Sequence, residues 1–144
     1  MIVQQILGAK DNNHLITVTA DTNVADATRL LAEHRIGGLI VSDDGAKALG
    51  ILSERDIVRA MAVVGGNCLG DRVGELMTPD PVCCAKTDSA VSVLEKMTEG
   101  RFRHMPVVED GRIVGMVTLG DVVKARLQEL SMEKEALESM VMGF

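Results

Sequence analysis

The chain has 144 residues, a hydrophobic share of 47% and a formal net charge of −6. This length is enough for one compact domain or for two small halves that share a core. The negative charge, with no long basic cluster, excludes a protein that holds nucleic acid mainly through its phosphates. No apolar run reaches the length of a membrane span, and the N-terminus lacks the pattern of a signal peptide. We therefore expect a cytoplasmic protein with neither nucleic acid nor a membrane as its partner.

The residue types that bind metals are spread along the chain and form no recognisable site. They are Cys68, Cys83, Cys84, His14, His34 and His104. Their spacing fits neither a disulfide framework nor a zinc site, so we expect reduced thiols and no metal. The only aromatic residues are Phe102 and Phe144. A flat ligand ring would therefore pack mainly against aliphatic side chains.

The first half of the chain predicts a β-α-β-β-α unit behind a short N-terminal segment. The predicted elements are a short helix or turn (2–9), a polar loop (10–14), a strand (15–18), a helix (24–34), a buried strand (39–41), a turn (43–45), a strand (48–52) and a helix from Ser53 to about residue 63. Asp21 or Thr22 is expected to cap the helix over 24–34, because polar caps precede its apolar periodicity.

The second half repeats this order after a glycine-rich connector. Its predicted elements are a short helix capped by Asp71 (72–77), a strand (82–85), a helix capped at Asp88–Ser89 (90–99) and ended by Gly100, a strand (104–108), a turn (109–111), a strand (113–117) and a helix from Thr118. A unit of this size is too small to bury a good core alone. We therefore predict an α/β fold of two units packed around a pseudo-two-fold axis.

This repeat divides the chain into three predicted parts. The first unit with its N-terminal segment is residues 1–66, the second unit is 67–126, and a helical tail is 127–144. The tail carries an apolar stripe at Leu127, Leu130, Leu137, Met140 and Val141. Such a stripe often packs on its own domain, but the repeat already accounts for its own core, which favours a dimer contact.

The most informative stretch is GILSERD at residues 50–56, which recurs as GMVTLGD at 115–121. In each copy a buried strand runs into a helix whose N-cap is Ser53 or Thr118. A helix N-terminus offers free N–H groups to a phosphate, and an aspartate on its first turn can accept hydrogen bonds from two sugar hydroxyls. This pattern suits a ribose phosphate. Ser-x-x-Asp and Thr-x-x-Asp also resemble a capping box, which explains the same residues without any ligand.

These paired units resemble a tandem cystathionine-β-synthase (CBS) domain, or Bateman module, over roughly residues 10–126. The resemblance rests on the two repeated stretches, on HMPVVEDGRIVG, on LMT before the second unit, and on HRIGGLIV and SERDIVRA. It implies a non-catalytic regulatory module that binds an adenosine ligand such as AMP, ADP, ATP, NAD or S-adenosylmethionine. It also implies a homodimer whose shape, or affinity for a regulated protein, changes with occupancy.

The resemblance places one ligand cleft at each repeated stretch. In the first, Ser53 and Asp56 would hold phosphate and ribose, and the remaining contacts would come from Thr78, Val82, Cys83, Arg103, His104, Met105 and Pro106. In the second, Thr118 and Asp121 would act with Lys10, Ile16, Ile36, Gly37 and Gly38. Arg55, Arg101 and Arg103 would neutralise phosphates at the first cleft. Pro106 is matched by Leu39 and Thr78 by Asp11, so the clefts are not expected to bind equally.

Two other functions are compatible with these residues. In a structural or interaction module with vestigial clefts, both aspartates would act only as helix caps. An enzyme that used Cys83 with His104 would need a third group to orient the base, and the sequence indicates none.

Overall fold

The computed structural model describes residues 1–10 and 15–143 of the chain. The helices are α1 (Val3–Ala9), α2 (Val24–His34), α3 (Glu54–Val64), α4 (Val73–Leu76), α5 (Ala90–Gly100) and α6 (Leu119–Val141), with a 3₁₀ helix at Gly65–Gly70. The strands are β1 (Thr17–Val18), β2 (Gly38–Val41), β3 (Gly50–Ser53), β4 (Thr78–Pro79), β5 (His104–Glu109) and β6 (Arg112–Thr118). The predicted α/β class with two related units and a C-terminal helix is confirmed. The predicted loop at 10–14 lies mostly outside the described residues.

Helical spacing of apolar residues explains α2 and α5. In α2, Val24, Ala27 and Leu31 are buried. In α5 the buried residues, Ala90, Val93 and Met97, have the same spacing of three and then four. That spacing places each set on one face of its helix, which packs on the sheet of its unit.

The first sheet has four strands in the order β1-β2-β3-β4. Strand β1 is parallel to β2, whereas the pairs β2–β3 and β3–β4 are antiparallel. Strand β4 belongs to the stretch that enters the second unit, so the chain pairs with the first sheet before it crosses to the second unit. This arrangement brings Thr78 next to Ile51, near the start of α3.

The second sheet is the antiparallel pair β5–β6. The strand predicted over 82–85 is wrong, because within it only Cys84 pairs. The Cys84 N–H donates to Pro106 O, and Cys84 O accepts from the Val108 N–H, both at 2.9 Å. Next along the chain, the Ala85 N–H donates to the Asp88 carboxylate at 2.9 Å. The backbone therefore turns away from the sheet after one residue.

The first two predicted caps are wrong. Asn23 caps α2 by accepting the Ala25 N–H at 2.8 Å, while Asp21 forms an ion pair with Arg72 at 3.2 Å. Asp71 does not cap α4. Instead, the Asp71 carbonyl accepts the Val24 N–H at 2.9 Å, and this hydrogen bond joins the two units.

The third predicted cap and the predicted end of α5 are both confirmed. Ser89 caps α5, as predicted, and accepts the Ser92 N–H at 3.1 Å. The helix ends at Gly100, as predicted, and the next residue, Arg101, has a left-handed φ of 55°.

Each unit completes its core with a segment from outside its own repeat. Helix α1 contributes Val3, Ile6 and Leu7 to the core of the second unit. In exchange, Val73 of α4 is buried in the core of the first unit. A third cluster, Ile40, Ile51 and Ile113, joins the two sheets. The predicted pairing of the halves follows from these shared cores, and the domain boundary near residue 66 stays a prediction.

The last helix is longer than its unit requires. Helix α6 runs without a break to Val141, so the predicted tail continues the helix that Thr118 opens. The tail stripe is exposed: Leu127, Leu130, Leu137, Met140 and Val141 all lie at the surface of the chain. The stripe therefore does not pack on its own domain.

Candidate functional site

A cleft of about 720 Å³ opens where α3 begins, between the two units. Its lining consists of residues 53–56, 78–82, 100–104 and 118–120 together with Gly37, Ile51 and Arg59. We call it the first cleft. Its volume lies in the range of small-molecule sites.

Asp56 is fixed at the mouth of the first cleft by a complete capping box. The Ser53 N–H and Oγ donate to Asp56 Oδ2 at 2.8 and 3.0 Å, and Ser53 Oγ faces the Asp56 N–H at 3.4 Å. The other carboxylate oxygen, Oδ1, accepts from Thr78 Oγ1 at 3.2 Å. Oδ2 therefore completes the helix cap, while Oδ1 accepts a hydrogen bond from the Thr78 hydroxyl of strand β4.

Two adjacent glycines, Gly37 and Gly38, lie against side chains that line the first cleft. A Cβ on Gly38 would lie 2.8 Å from the His104 ring, and a Cβ on Gly37 would lie 2.8 Å from Glu54 Oε1. Only glycine lets both side chains approach the backbone this closely. Burial lowers the pKa of His104, and Arg103 and Lys10 act in the same direction, whereas Glu54 and Asp56 oppose it. His104 is therefore a neutral wall residue at pH 7.

Four arginines line the first cleft: Arg55, Arg59, Arg101 and Arg103. All four are exposed. Within the described part of the chain, the ion pairs involve other arginines and do not include these four. Their guanidinium groups are thus available to an anion, beside the N-terminus of α3.

A second cleft, of about 540 Å³, lies at the related position by the start of α6. Its lining consists of Met1, Ile6, Ala9, Lys10, residues 34–36, Asp121, Lys124, Ala125 and Gln128. The Thr118 N–H donates to Asp121 Oδ2 at 2.9 Å, and the Asp121 N–H donates to Thr118 Oγ1 at 3.2 Å, which repeats the capping box. Lys10 Nζ also lies 2.9 Å from Asp121 Oδ2.

Residues 1–10 and 15–143 provide neither a metal-binding cluster nor a membrane-spanning helix. They contain no group of three or more His, Cys, Asp or Glu side chains that could hold a metal ion. None of their helices is both long and apolar enough to cross a membrane.

The model of the CBS domain family matches residues 9–63 and again residues 73–128. The chain belongs to the CBS domain family. The resemblance read from the repeated stretches is confirmed, and the two matched segments correspond to the two units of the fold.

Relatives and solved structures agree with this assignment. CBSX3, a mitochondrial CBS domain-containing protein of Arabidopsis thaliana, is 31% identical over 145 residues, which cover 98% of this chain and 70% of the relative. The CBS-domain containing protein ATU1752 from Agrobacterium tumefaciens has a TM-score of 0.81 and 39% identity over 87% of this chain and 92% of that one.

Two other CBS-domain structures contain ligands. CBSX2 in complex with AMP has a TM-score of 0.70 and 32% identity, over 88% of this chain and 96% of that one. The CBS domain pair of MJ0100, in complex with 5′-methylthioadenosine and S-adenosyl-L-methionine, has a TM-score of 0.78 and 26% identity, over 90% and 98%.

In this CBS pair, most residues assigned to the first cleft line one surface. Those that line it are Ser53, Arg55, Asp56, Thr78, Val82, Arg103 and His104. The lining does not include Met105 and Pro106, which are buried in β5, or Cys83. Cys83 Sγ donates to Pro81 O at 3.4 Å, and burial raises the pKa of its thiol.

The residues assigned to the second cleft of the CBS pair are divided between the two clefts. Lys10, Ile36 and Asp121 line the second cleft, whereas Thr118 and Gly37 line the first. Gly38 lies under the His104 ring, and Ile16 packs against the core of the first unit. Asp11, which matches Thr78, lies outside the described residues.

Sequence reasoning missed Glu54 and Arg59 in the first cleft. Arg59 follows Arg55 by one helical turn on α3, so the i, i+4 rule could have identified it. Glu54 had no such signal, because its place opposite Gly37 depends on how β2 and α3 meet in space.

Proposed function

We propose that this CBS pair binds an adenine nucleotide in its first cleft and acts as a regulatory sensor. The observation that carries the proposal is the arrangement around Asp56. Its carboxylate lies on the first turn of α3, lines the first cleft, and has one oxygen that, among the described residues, accepts a hydrogen bond only from the Thr78 hydroxyl. Such a carboxylate can accept hydrogen bonds from two ribose hydroxyls.

The other lining residues match the remaining parts of a nucleotide. A 5′-phosphate would lie at the N-terminus of α3, where Arg55 and Arg59 neutralise its charge. An adenine ring would pack against the exposed aliphatic side chain of Val82 and against Ile51. AMP in CBSX2 and the two adenosine compounds in MJ0100 support the adenosine part. The arginines favour a ligand with phosphate, which includes AMP, ADP, ATP and NAD.

Regulation follows from the position of the first cleft. Its lining comes from α3 of the first unit and from residues 100–104 and 118–120 of the second. A ligand there would bridge the units, and it would favour the relative position of the units to which it binds more tightly. We propose that a regulated protein partner, or the dimer itself, responds to this change.

We also propose that the active form is a homodimer. Helices α3 and α6 occupy equivalent places in the two units, and each has exposed apolar residues. Val58 and Met61 are exposed on α3, as are Leu127 and Leu130 on α6. A second copy would bury them, as in symmetric dimers generally.

The module is proposed to have no catalytic activity. A Cys83–His104 enzyme would need a reactive thiolate, but burial raises the pKa of Cys83. Burial, then Asp88 and Cys83, raise the pKa of the neighbouring Cys84 to about 12. In the described part of the chain, Cys83 donates to the Pro81 carbonyl and makes no hydrogen bond with His104.

One observation favours the alternative, a structural module with vestigial clefts. Both aspartates, Asp56 and Asp121, complete capping boxes, so each has a structural role without a ligand. The two functions differ in what they predict for nucleotide binding. Only the sensor binds a nucleotide, and it requires the anionic carboxylate of Asp56 to do so.

The deciding experiment has two stages. The purified protein is first extracted with acid and the extract examined by mass spectrometry for a retained purine. The ligand-free protein is then titrated by calorimetry with AMP, ADP, ATP and NAD. We expect Asp56→Asn to weaken binding at least about tenfold, because it removes the charge that accepts two hydroxyls.

The matched control is Asp121→Asn, which alters the other capping box and leaves the first cleft intact. Equal loss of affinity in both variants would point to a general effect on folding. If the wild-type protein retains no purine and binds none of the four nucleotides, the sensor is excluded and the structural module is favoured.

A further inference from the structure

We propose that Lys10 keeps the second cleft closed to nucleotides, so that each chain binds one nucleotide and binds it in the first cleft. This inference rests on the proposed function, in which Asp56 and Asp121 are the carboxylates that accept ribose hydroxyls.

Lys10 forms an ion pair with Asp121, the carboxylate that a sugar would contact in the second cleft. Its Nζ lies 2.9 Å from Asp121 Oδ2 and donates to Met116 O, also at 2.9 Å. The side chains of Lys10 and Asp121 are only 20% and 22% exposed. Two acceptors therefore hold the ammonium in a partly shielded place, where an ion pair is stronger than at an open surface.

The contact with Lys10 occupies one oxygen of the Asp121 carboxylate, Oδ2. The Thr118 N–H already donates to Asp121 Oδ2 at 2.9 Å, and the ammonium approaches the same oxygen. A ribose that contacts both oxygens of the carboxylate must displace Lys10 from Oδ2. The ammonium then loses a charged partner, which lowers the net affinity for the ligand.

In the first cleft, no lysine or arginine of the described residues forms an ion pair with Asp56. The alignment that matches Thr78 with Asp11 also matches Met77 with Lys10, and a thioether cannot donate a hydrogen bond. There, the partner of Asp56 is the Thr78 hydroxyl at 3.2 Å. A hydroxyl can rotate, and it can both donate and accept, so it can stay beside a bound sugar.

Lys10→Met therefore gives the second cleft the residue found at the equivalent position of the first. The probe is AMP, and the measurement is the number of AMP molecules bound per chain, by calorimetry on protein of known active concentration. We expect one for the wild-type protein and two for Lys10→Met. Lys10→Ala, which also removes the side-chain bulk, is expected to bind two.

Two variants control for charge and for location. Lys124→Met removes a lysine from the same cleft and leaves the Lys10–Asp121 pair in place. It is expected to bind one AMP, as the wild-type protein does. The double variant Lys10→Met/Asp121→Asn should also return to one, because the new site needs the carboxylate. Thermal unfolding of each variant checks that it is folded.

Each outcome decides both the inference and the proposed function. If the wild-type protein binds two AMP molecules and Lys10→Met binds one, Lys10 is a ligand contact and the inference is wrong. If both bind one, Lys10 does not close the cleft, although the sensor function stands. If the wild-type protein binds none and Lys10→Met binds one, the closure by Lys10 is supported and the proposed role of the first cleft is lost. Binding by neither overturns both.

Discussion

His104 is a titratable residue of the second unit that lies against the first unit. Its ring lies against Gly38, and burial, the largest cause, lowers its pKa. In the unfolded chain the imidazole has its ordinary pKa of about 6.5. Between the two pKa values the unfolded chain binds more protons than the folded one, so protonation favours unfolding.

This sign gives a prediction for pH dependence. The free energy of unfolding should fall as the pH is lowered from about 7.5 towards 5.5, through the ordinary histidine range. His104→Gln should reduce that slope, because glutamine does not titrate. Urea unfolding at a series of pH values measures it. The control is His34→Gln, at an exposed position on α2, which should keep the wild-type slope. An unchanged slope in His104→Gln would show that other groups cause the pH dependence.

Whether a residue's contacts could be predicted from the sequence depended on how far apart the partners are in the chain. Ser53 and Asp56 are three residues apart, so the pattern predicted their capping box. Lys10 and Met116 are 106 residues apart. The resemblance grouped Lys10 with Asp121, but no spacing rule could predict that the lysine bonds to that carboxylate.

At the scale of elements, α6 gives the clearest test of the dimer. Leu127 is 63% exposed on α6, and Val58 is 63% exposed on the equivalent helix, α3. Leu127→Glu would place a charge in the proposed interface, where an unpaired charge is costly. We expect a shift from dimer to monomer, measured by analytical ultracentrifugation at several protein concentrations.

Met132→Glu is the matched control, because Met132 is on the same helix and is 66% exposed. At about 100° per residue it lies roughly 140° around the helix from Leu127. This variant should remain dimeric. A wild-type monomer, or equal dissociation in both variants, would contradict an interface built on the Leu127 face.

Elements with strong periodicity were predicted well, and those set by polar backbone contacts were not. The spacing of three and four in α2 and α5 marked both helices correctly. The strand over 82–85 failed because Asp88 takes up the Ala85 N–H and turns the chain, although the residues themselves favour a strand. Before α2, the three successive residues Asp21, Thr22 and Asn23 are all typical caps, so the local sequence did not distinguish them. The helix begins after Asn23, where the Val24 N–H donates to the Asp71 carbonyl.

At the scale of the whole molecule, the two units exchange the segments that complete their cores. Helix α1 fills the second unit, while Val73 of α4 fills the first. The repeat predicted that the halves share a core, but it could not predict this exchange. A segment's own sequence shows that it must bury an apolar face, and it does not show which face it will contact.

This exchange predicts that the chain unfolds in one cooperative transition. Ile6 of α1 is buried in the core of the second unit. Ile6→Ala should lower the free energy of unfolding by about 2–5 kcal/mol, through lost burial and a cavity. Because the cores interlock, the whole transition should shift to lower temperature. Calorimetry measures it, at one fixed protein concentration because dimer formation also affects stability.

Gln4→Ala, at an exposed position of the same helix, is the control and should leave the melting temperature nearly unchanged. If the unfolding unit is a single chain, the calorimetric enthalpy should equal the van't Hoff enthalpy. Two transitions, with Ile6→Ala moving only one, would mean that the units unfold independently. In that case the ligand in the first cleft would have to couple two separately stable bodies, and its binding should then merge the two transitions into one.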